Sequence, residues 1–173
     1  WQQVAVPHDW AISGPFDKKW DLQMVAIEQN GEKEKTEKSG RSGALPWIGE
    51  GMYKMNWTAP KGYKRAVLVF DGAMSQPVVT VNGKEAGKWA YGYNAFRIDI
   101  TPFIQFGKSN LIEVHLNNVE ESSRWYPGGG LYRPVSVELY GNENFSTWDT
   151  FVRTLKADKQ EAEVEVNALL EGK

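Results

Sequence analysis

The densest set of groups able to do chemistry surrounds one glycine run, Arg124-Trp125-Tyr126-Pro127-Gly128-Gly129-Gly130-Leu131-Tyr132-Arg133. Guanidinium, indole and phenol groups side by side can donate hydrogen bonds and present flat apolar faces together. Consecutive glycines admit positive φ and close approach by neighbours, while Pro127 fixes φ just before them, so the loop has a defined shape. Two readings fit: the edge of a binding site, or a long loop whose aromatics cap a core. The alternation in Val135-Ser136-Val137-Glu138-Leu139 leads the loop into a half-buried strand.

Reactive constellations are scarcer. The acids include Asp9, Asp17, Asp21, Asp71 and Asp99, and none sits in a motif that would hold it as a nucleophile or a proton donor. Asp9 follows Pro7-His8 and reads as the acceptor of an Asx turn, and Asp71-Gly72 and Asp99-Ile100-Thr101 read as turn and cap. His8 and His115 are the only histidines and there is no cysteine, so the residues supply no zinc set. A serine nucleophile would need an elbow that is not present. The glycine run precedes a strand where a nucleotide loop would require a helix, so no cofactor is expected.

The elements that would position these groups are short strands. Tyr53, Met55 and Trp57 share one face of a segment beginning near Gly51, and Arg65-Ala66-Val67-Leu68-Val69-Phe70 reads as a buried strand. Asn82-Gly83 marks a tight hairpin turn. Phe96, Ile98 and Ile100 point inward, as do Ile112, Val114 and Leu116. Thr101 and Pro102 are expected to cap and begin one helical turn over 103–106, ended by Gly107. Val4-Ala5-Val6 reads as a short strand, and 22–27 as a strand or one helical turn. Residues 28–41 lack any large apolar side chain and are expected to form a solvated loop. Turn signals between many short strands, with no long helical period, indicate an all-β, antiparallel β-sandwich.

At 173 residues and 41% hydrophobic content the chain has material for a core. Its formal net charge of −2 offers no basic excess for nucleic acid. No apolar run approaches the roughly 20 residues that cross a bilayer. The chain opens on Trp1, so a trimmed or processed start is expected, and localisation, periplasmic or cytoplasmic, is left open.

Motifs in order along the chain carry a resemblance. Pro7-His8-Asp9-Trp10 with Gly14-Pro15-Phe16, Gly51-Met52-Tyr53, Phe70-Asp71-Gly72, Val81-Asn82-Gly83, Gly92-Tyr93-Asn94-Ala95-Phe96, Asp99-Ile100-Thr101 and the Arg124–Arg133 run resemble the N-terminal domain of family 2 glycoside hydrolases. The resemblance is greatest to bacterial β-galactosidases. It implies a jelly-roll-like, sugar-binding sandwich over 1–142. The first strands of an immunoglobulin-like domain are implied over 143–173, where 150–155 and 162–170 read as strands. A catalytic barrel would follow.

Glycoside hydrolysis normally uses two facing carboxyl groups, and the family's two catalytic glutamates lie in that barrel. The chain is therefore expected to be non-catalytic, shaping the pocket from outside through Trp47, Arg124, Trp125 and Tyr126. Well-known β-galactosidases carry a sugar-contacting asparagine and a sugar- and sodium-contacting aspartate where this chain has Ile48 and Arg124, so no metal site is carried over. A guanidinium at 124 suits sugar hydroxyls or a uronic-acid carboxylate; the alternative is a bridge to an acid on its own surface.

The implied partners are a β-galactoside or β-glucuronide, the barrel and immunoglobulin-like domains of the same chain, and in some settings a second copy. Nucleic acid and a membrane span are not among them. The rivals are a β-glucuronidase parent, or a free-standing carbohydrate-binding module using Trp89, Tyr91 and Tyr93 as a stacking platform.

Overall fold

The computed structural model describes residues 1–17, 22–25, 36–39, 47, 49–119 and 126–172. Strands β1 (Leu22–Val25) and β2 (Thr36–Ser39) pair antiparallel as a small ribbon. Strand β3 (Glu50–Thr58) is followed by β4 (Arg65–Phe70), β5 (Val78–Val81), β6 (Lys84–Lys88) and β7 (Phe96–Asp99). A 3₁₀ turn (Thr101–Phe103), β8 (Ser109–Asn117) and β9 (Val135–Tyr140) come next, then the long pair β10 (Glu143–Ala157) and β11 (Ala162–Gly172).

Two antiparallel sheets form a β-sandwich: β3-β8-β5-β6 and β7-β4-β9. The alternating residues meet between them as expected. Leu68, Phe70, Phe96 and Ile98 come from the smaller sheet, and Val79, Val81, Ile112, Val114 and Leu116 from the larger. Burying a side chain of this size contributes about 1.5–3 kcal/mol, which makes this double layer the main source of stability. At one end, Asn82 adopts φ 51° and Gly83 φ 77°, the turn that Asn-Gly favours. The Asn82 amide donates to Phe103 O (2.8 Å) and Asn110 Oδ1 (2.9 Å), and its Oδ1 accepts from Leu111 N. Buried Asn110 donates in turn to Gln105 O and Lys108 O, so this end is closed by a fully used amide pair.

The other side is open. β3 and β9 are edge strands of their sheets, and between them lies an apolar cavity of ≈ 950 Å³ lined by residues such as Met55, Trp57, Phe70, Val114 and Val137. Met55 shares its face with Tyr53 and Trp57, but it is exposed because it borders this opening.

Four expectations change. Val4-Ala5-Val6 forms no strand: Ala5 and Val6 are exposed, and the segment enters no ladder of the described sheets. Residues 36–39, within the stretch read as a solvated loop, form β2, because ladder pairing needs backbone groups and not large side chains; the other residues of 28–41 lie outside the described ones. The helical turn spans Thr101–Phe103, starting one residue earlier than read and ending before 106, with Ile100 as its cap residue. Thr101 is drawn inward instead, its Oγ1 accepting from Ala66 N, while Asp99 Oδ1 takes the Thr101 N–H. The hairpin strands are longer than read, beginning at Glu143, and they expose Phe145, Trp148, Phe151 and Val152.

Candidate functional site

The glycine run is a bed for the chain's opening segment. His8 N donates to Leu131 O (2.8 Å), and Met74 and Gly130 exchange a pair of backbone bonds, each 2.9 Å. Gly130, at φ 89°, lies where a Cβ would collide with the Tyr53 hydroxyl and sit 2.9 Å from His8 O. Gly129 would bring a Cβ to 3.1 Å from the Trp10 indole nitrogen. Across the bed, Gly51 would place one 2.5 Å from the same indole ring. The glycines are thus required by the close passage of His8-Asp9-Trp10.

On that bed the side chains interlock. Tyr53 donates to His8 O (3.2 Å), and its hydroxyl lies 2.8 Å from His8 Nδ1. Trp10 stacks on Tyr53 (6.2 Å between centroids) and tilts against Trp47 (6.1 Å). Asp9 Oδ1 accepts from Ala11 N (2.9 Å), the expected Asx turn, and also from the Tyr126 hydroxyl. Burial pushes the Tyr53 hydroxyl up to about 12, helped by the Asp9 charge and opposed by a backbone bond from Leu131. Burial raises Tyr126 further above the phenol range, with the Asp9 bond and charge adding to it. Both phenols therefore stay protonated and act as donors.

Of the four site residues taken from the sequence, Tyr126 and Trp47 are described. The structure puts them at the two flanks of Asp9 and Trp10, Tyr126 through its hydroxyl and Trp47 through its ring. Arg124 and Trp125 lie outside the described residues, as does Ile48. Tyr126 fixes the point from which the 124–125 pair departs. Asn118 reinforces that point, buried and donating its amide to Gly128 O (2.8 Å). Among the described residues the Asn118 Oδ1 and Trp10 Nε1 atoms are buried without a hydrogen-bond partner.

Sequence reasoning missed the His8–Tyr53 and Asp9–Tyr126 pairs, which span 45 and 117 positions. The only advance signal was the coincidence of three glycines with an aromatic-rich opening.

The chain as a whole is similar to known proteins. No family model matches the chain. A β-galactosidase of Bacteroides ovatus, BoGH2A, is 32% identical over 166 residues, covering 94% of this chain and 17% of its own length. A β-glucuronidase of Formosa agariphila is 25% identical over 189 residues, covering 96% of this chain and 18% of its own. Among solved structures, a glycosyl hydrolase family 2 member from Bacteroides cellulosilyticus superposes with a TM-score of 0.76 at 31% identity, over 98% of this chain and 21% of that one. The chain thus spans less than a fifth of the length of these curated relatives. Identity above 30%, near-complete coverage of this chain and a common sandwich lead to one assignment: the chain belongs to the family 2 glycoside hydrolases, as a β-sandwich domain.

Proposed function

We propose that this sandwich serves a β-galactosidase-like enzyme by holding the 123–126 loop at the mouth of a catalytic barrel. In this reading Arg124 and Trp125 meet the sugar, Trp47 lines the approach, and hydrolysis belongs to carboxylates of the barrel. The observation that supports it is the anchoring of Tyr126 on Asp9, directly beside the pair, on a bed locked by His8–Tyr53 and the Met74–Gly130 bridge. A loop that contributes to transition-state binding must be held in place beforehand. Residues 1–142 form the sugar-binding unit and 143–173 begin an immunoglobulin-like unit, with β10 and β11 as its first hairpin. The relative named a β-glucuronidase supports a second reading, in which Arg124 takes a uronic-acid carboxylate.

The test is turnover of nitrophenyl β-galactoside and β-glucuronide by the 173-residue chain and by the full-length enzyme. Activity is expected only in the second. Activity of the short chain that disappears on mutating one of its own carboxylates would overturn the proposal.

A further inference from the structure

Residues 89–93, between β6 and β7, carry three rings that the core does not absorb. Trp89 is 40% exposed, Tyr91 55% and Tyr93 36%. Trp89 ends a column of parallel rings: it lies 8° from Phe96 at 5.5 Å, and Phe96 lies 5° from Phe70 at 4.6 Å. Phe70 and Phe96 are buried, so the column runs from the core to the surface and its last member is still accessible. Tyr91 and Tyr93 stand beside it with centroids 5.6 Å apart at 60°, forming a corner.

The loop holds these rings outward by construction. Trp89 N donates to Pro77 O (3.0 Å), the Tyr132 hydroxyl to Gly92 O (2.9 Å), and Arg133 Nη1 to Tyr93 O (3.0 Å) and Asp71 O (3.2 Å). Gly92 is buried against Met74, where a Cβ would fall 2.5 Å from the sulfur. A loop pinned at three of its five residues holds its aromatics toward water, and a ligand meeting them loses little ordering entropy.

We propose that Trp89, Tyr91 and Tyr93 form a carbohydrate-stacking subsite for a neutral pyranose of an oligosaccharide. A pyranose offers a flat C–H face to the indole and a rim of hydroxyls to the phenols, matching rings that are apolar in body and polar at the tip. Arg133 turns one nitrogen toward two carbonyls and lies 5.3 Å from the Tyr132 ring, so its charge is engaged as the strut of the loop. Neutral sugar is therefore favoured over an acidic one. This subsite does not depend on the 123–126 reading, because it needs no barrel and is measured as binding.

The experiment is an NMR titration of the 173-residue chain with β-1,4-galactotetraose, with a glucuronic-acid disaccharide in parallel. The Trp89 indole N–H and the amides of 91–93 should shift saturably with a Kd on the order of 1 mM. Trp89→Ala should weaken binding at least about tenfold and Tyr91→Ala about threefold, while Trp89→Phe, which preserves the column, should retain most of it. Tyr91 is largely exposed, so its variant tests the site even if Trp89→Ala misfolds. The absence of saturable shifts, shifts that survive the Trp89→Ala/Tyr91→Ala double variant, or binding of the acidic disaccharide alone would overturn the proposal. So would concentration-dependent shifts of the same resonances without sugar, which would assign the rings to protein docking.

Discussion

The Tyr126 hydroxyl donates to the carboxylate of Asp9, joining the loop before β9 to a turn 117 residues earlier. Asp9 also accepts from the Ala11 N–H. Tyr126→Phe should therefore lower stability by about 1–2 kcal/mol, the range for a hydrogen bond to a charged group at a partly buried site. Thermal melts of the variant and the parent chain at neutral pH check this, and an unchanged Tm would mean that the bond contributes nothing.

The same phenols predict an alkaline limb. Tyr53 and Tyr126 hold their protons to higher pH when folded than when unfolded, chiefly through burial. Above the ordinary phenol value of about 10 the unfolded chain binds fewer protons than the folded one, so stability falls as pH rises. Their contribution is complete below that value and is lost on the way to about 12 for Tyr53. Urea melts at pH 9, 10 and 11 should show this decline, and Tyr53→Phe should flatten it.

Two glycines in the left-handed region separate strain from collision. Gly83 has φ 77° with nothing within 4 Å of an added Cβ, whereas Gly130 has φ 89° and Tyr53 and His8 in the way. Gly83→Ala should cost about 1 kcal/mol from backbone strain alone. Gly130→Ala should cost roughly 2–4 kcal/mol, because overpacking adds to the same strain. Equal losses in chemical denaturation would show that the bed yields without resistance.

An acid limb belongs to Asp99. Burial raises its pKa, but the side-chain and backbone bonds from Thr101 and the Arg65 guanidinium outweigh that and lower it. A depressed carboxyl stabilises the fold above its unfolded pKa of about 4, and this is lost as pH falls through the folded value. Stability measured between pH 6 and 3 should decline less steeply in Asp99→Asn than in the parent.

Arg124 carries the functional prediction. In the full-length enzyme Arg124→Ala should reduce kcat/KM by roughly 10- to 100-fold, the effect of one or two charged hydrogen bonds in the transition state. A purely structural arginine would instead lower Tm and leave kinetics intact. Unaltered kinetics would remove Arg124 from the pocket without touching the fold.

What the sequence made legible follows from distance along the chain. Phe96, Ile98 and Ile100, or Ile112, Val114 and Leu116, announce their inward face by a period of two, and Asn82-Gly83 announces its turn by residue type. The family itself was legible from motifs in order. The partners of Asp9 and His8 were not, because a side chain advertises its need for a bond and not which distant residue supplies it. Val4-Ala5-Val6 misled for a related reason: strand composition is local, but a strand exists only where a neighbour offers a ladder. Thr101 was misjudged because its hydroxyl had a better use against Ala66, on another strand.

Arg65 has a mechanical consequence. Its guanidinium binds Asp99 of β7 at 2.8 Å and Glu171 of β11 at 3.2 Å. Only Gly141 and Asn142 separate β9 from β10. The long hairpin thus leaves the sandwich over a two-residue joint with one charged stay across it. Such a joint sets a heading while permitting small swings, since an exposed ion pair is weak enough to break and re-form. Whatever the hairpin carries is aimed by the register of β4 against β7 and β9, and charge reversal at Glu171 would change that aim while leaving the sandwich core as it is.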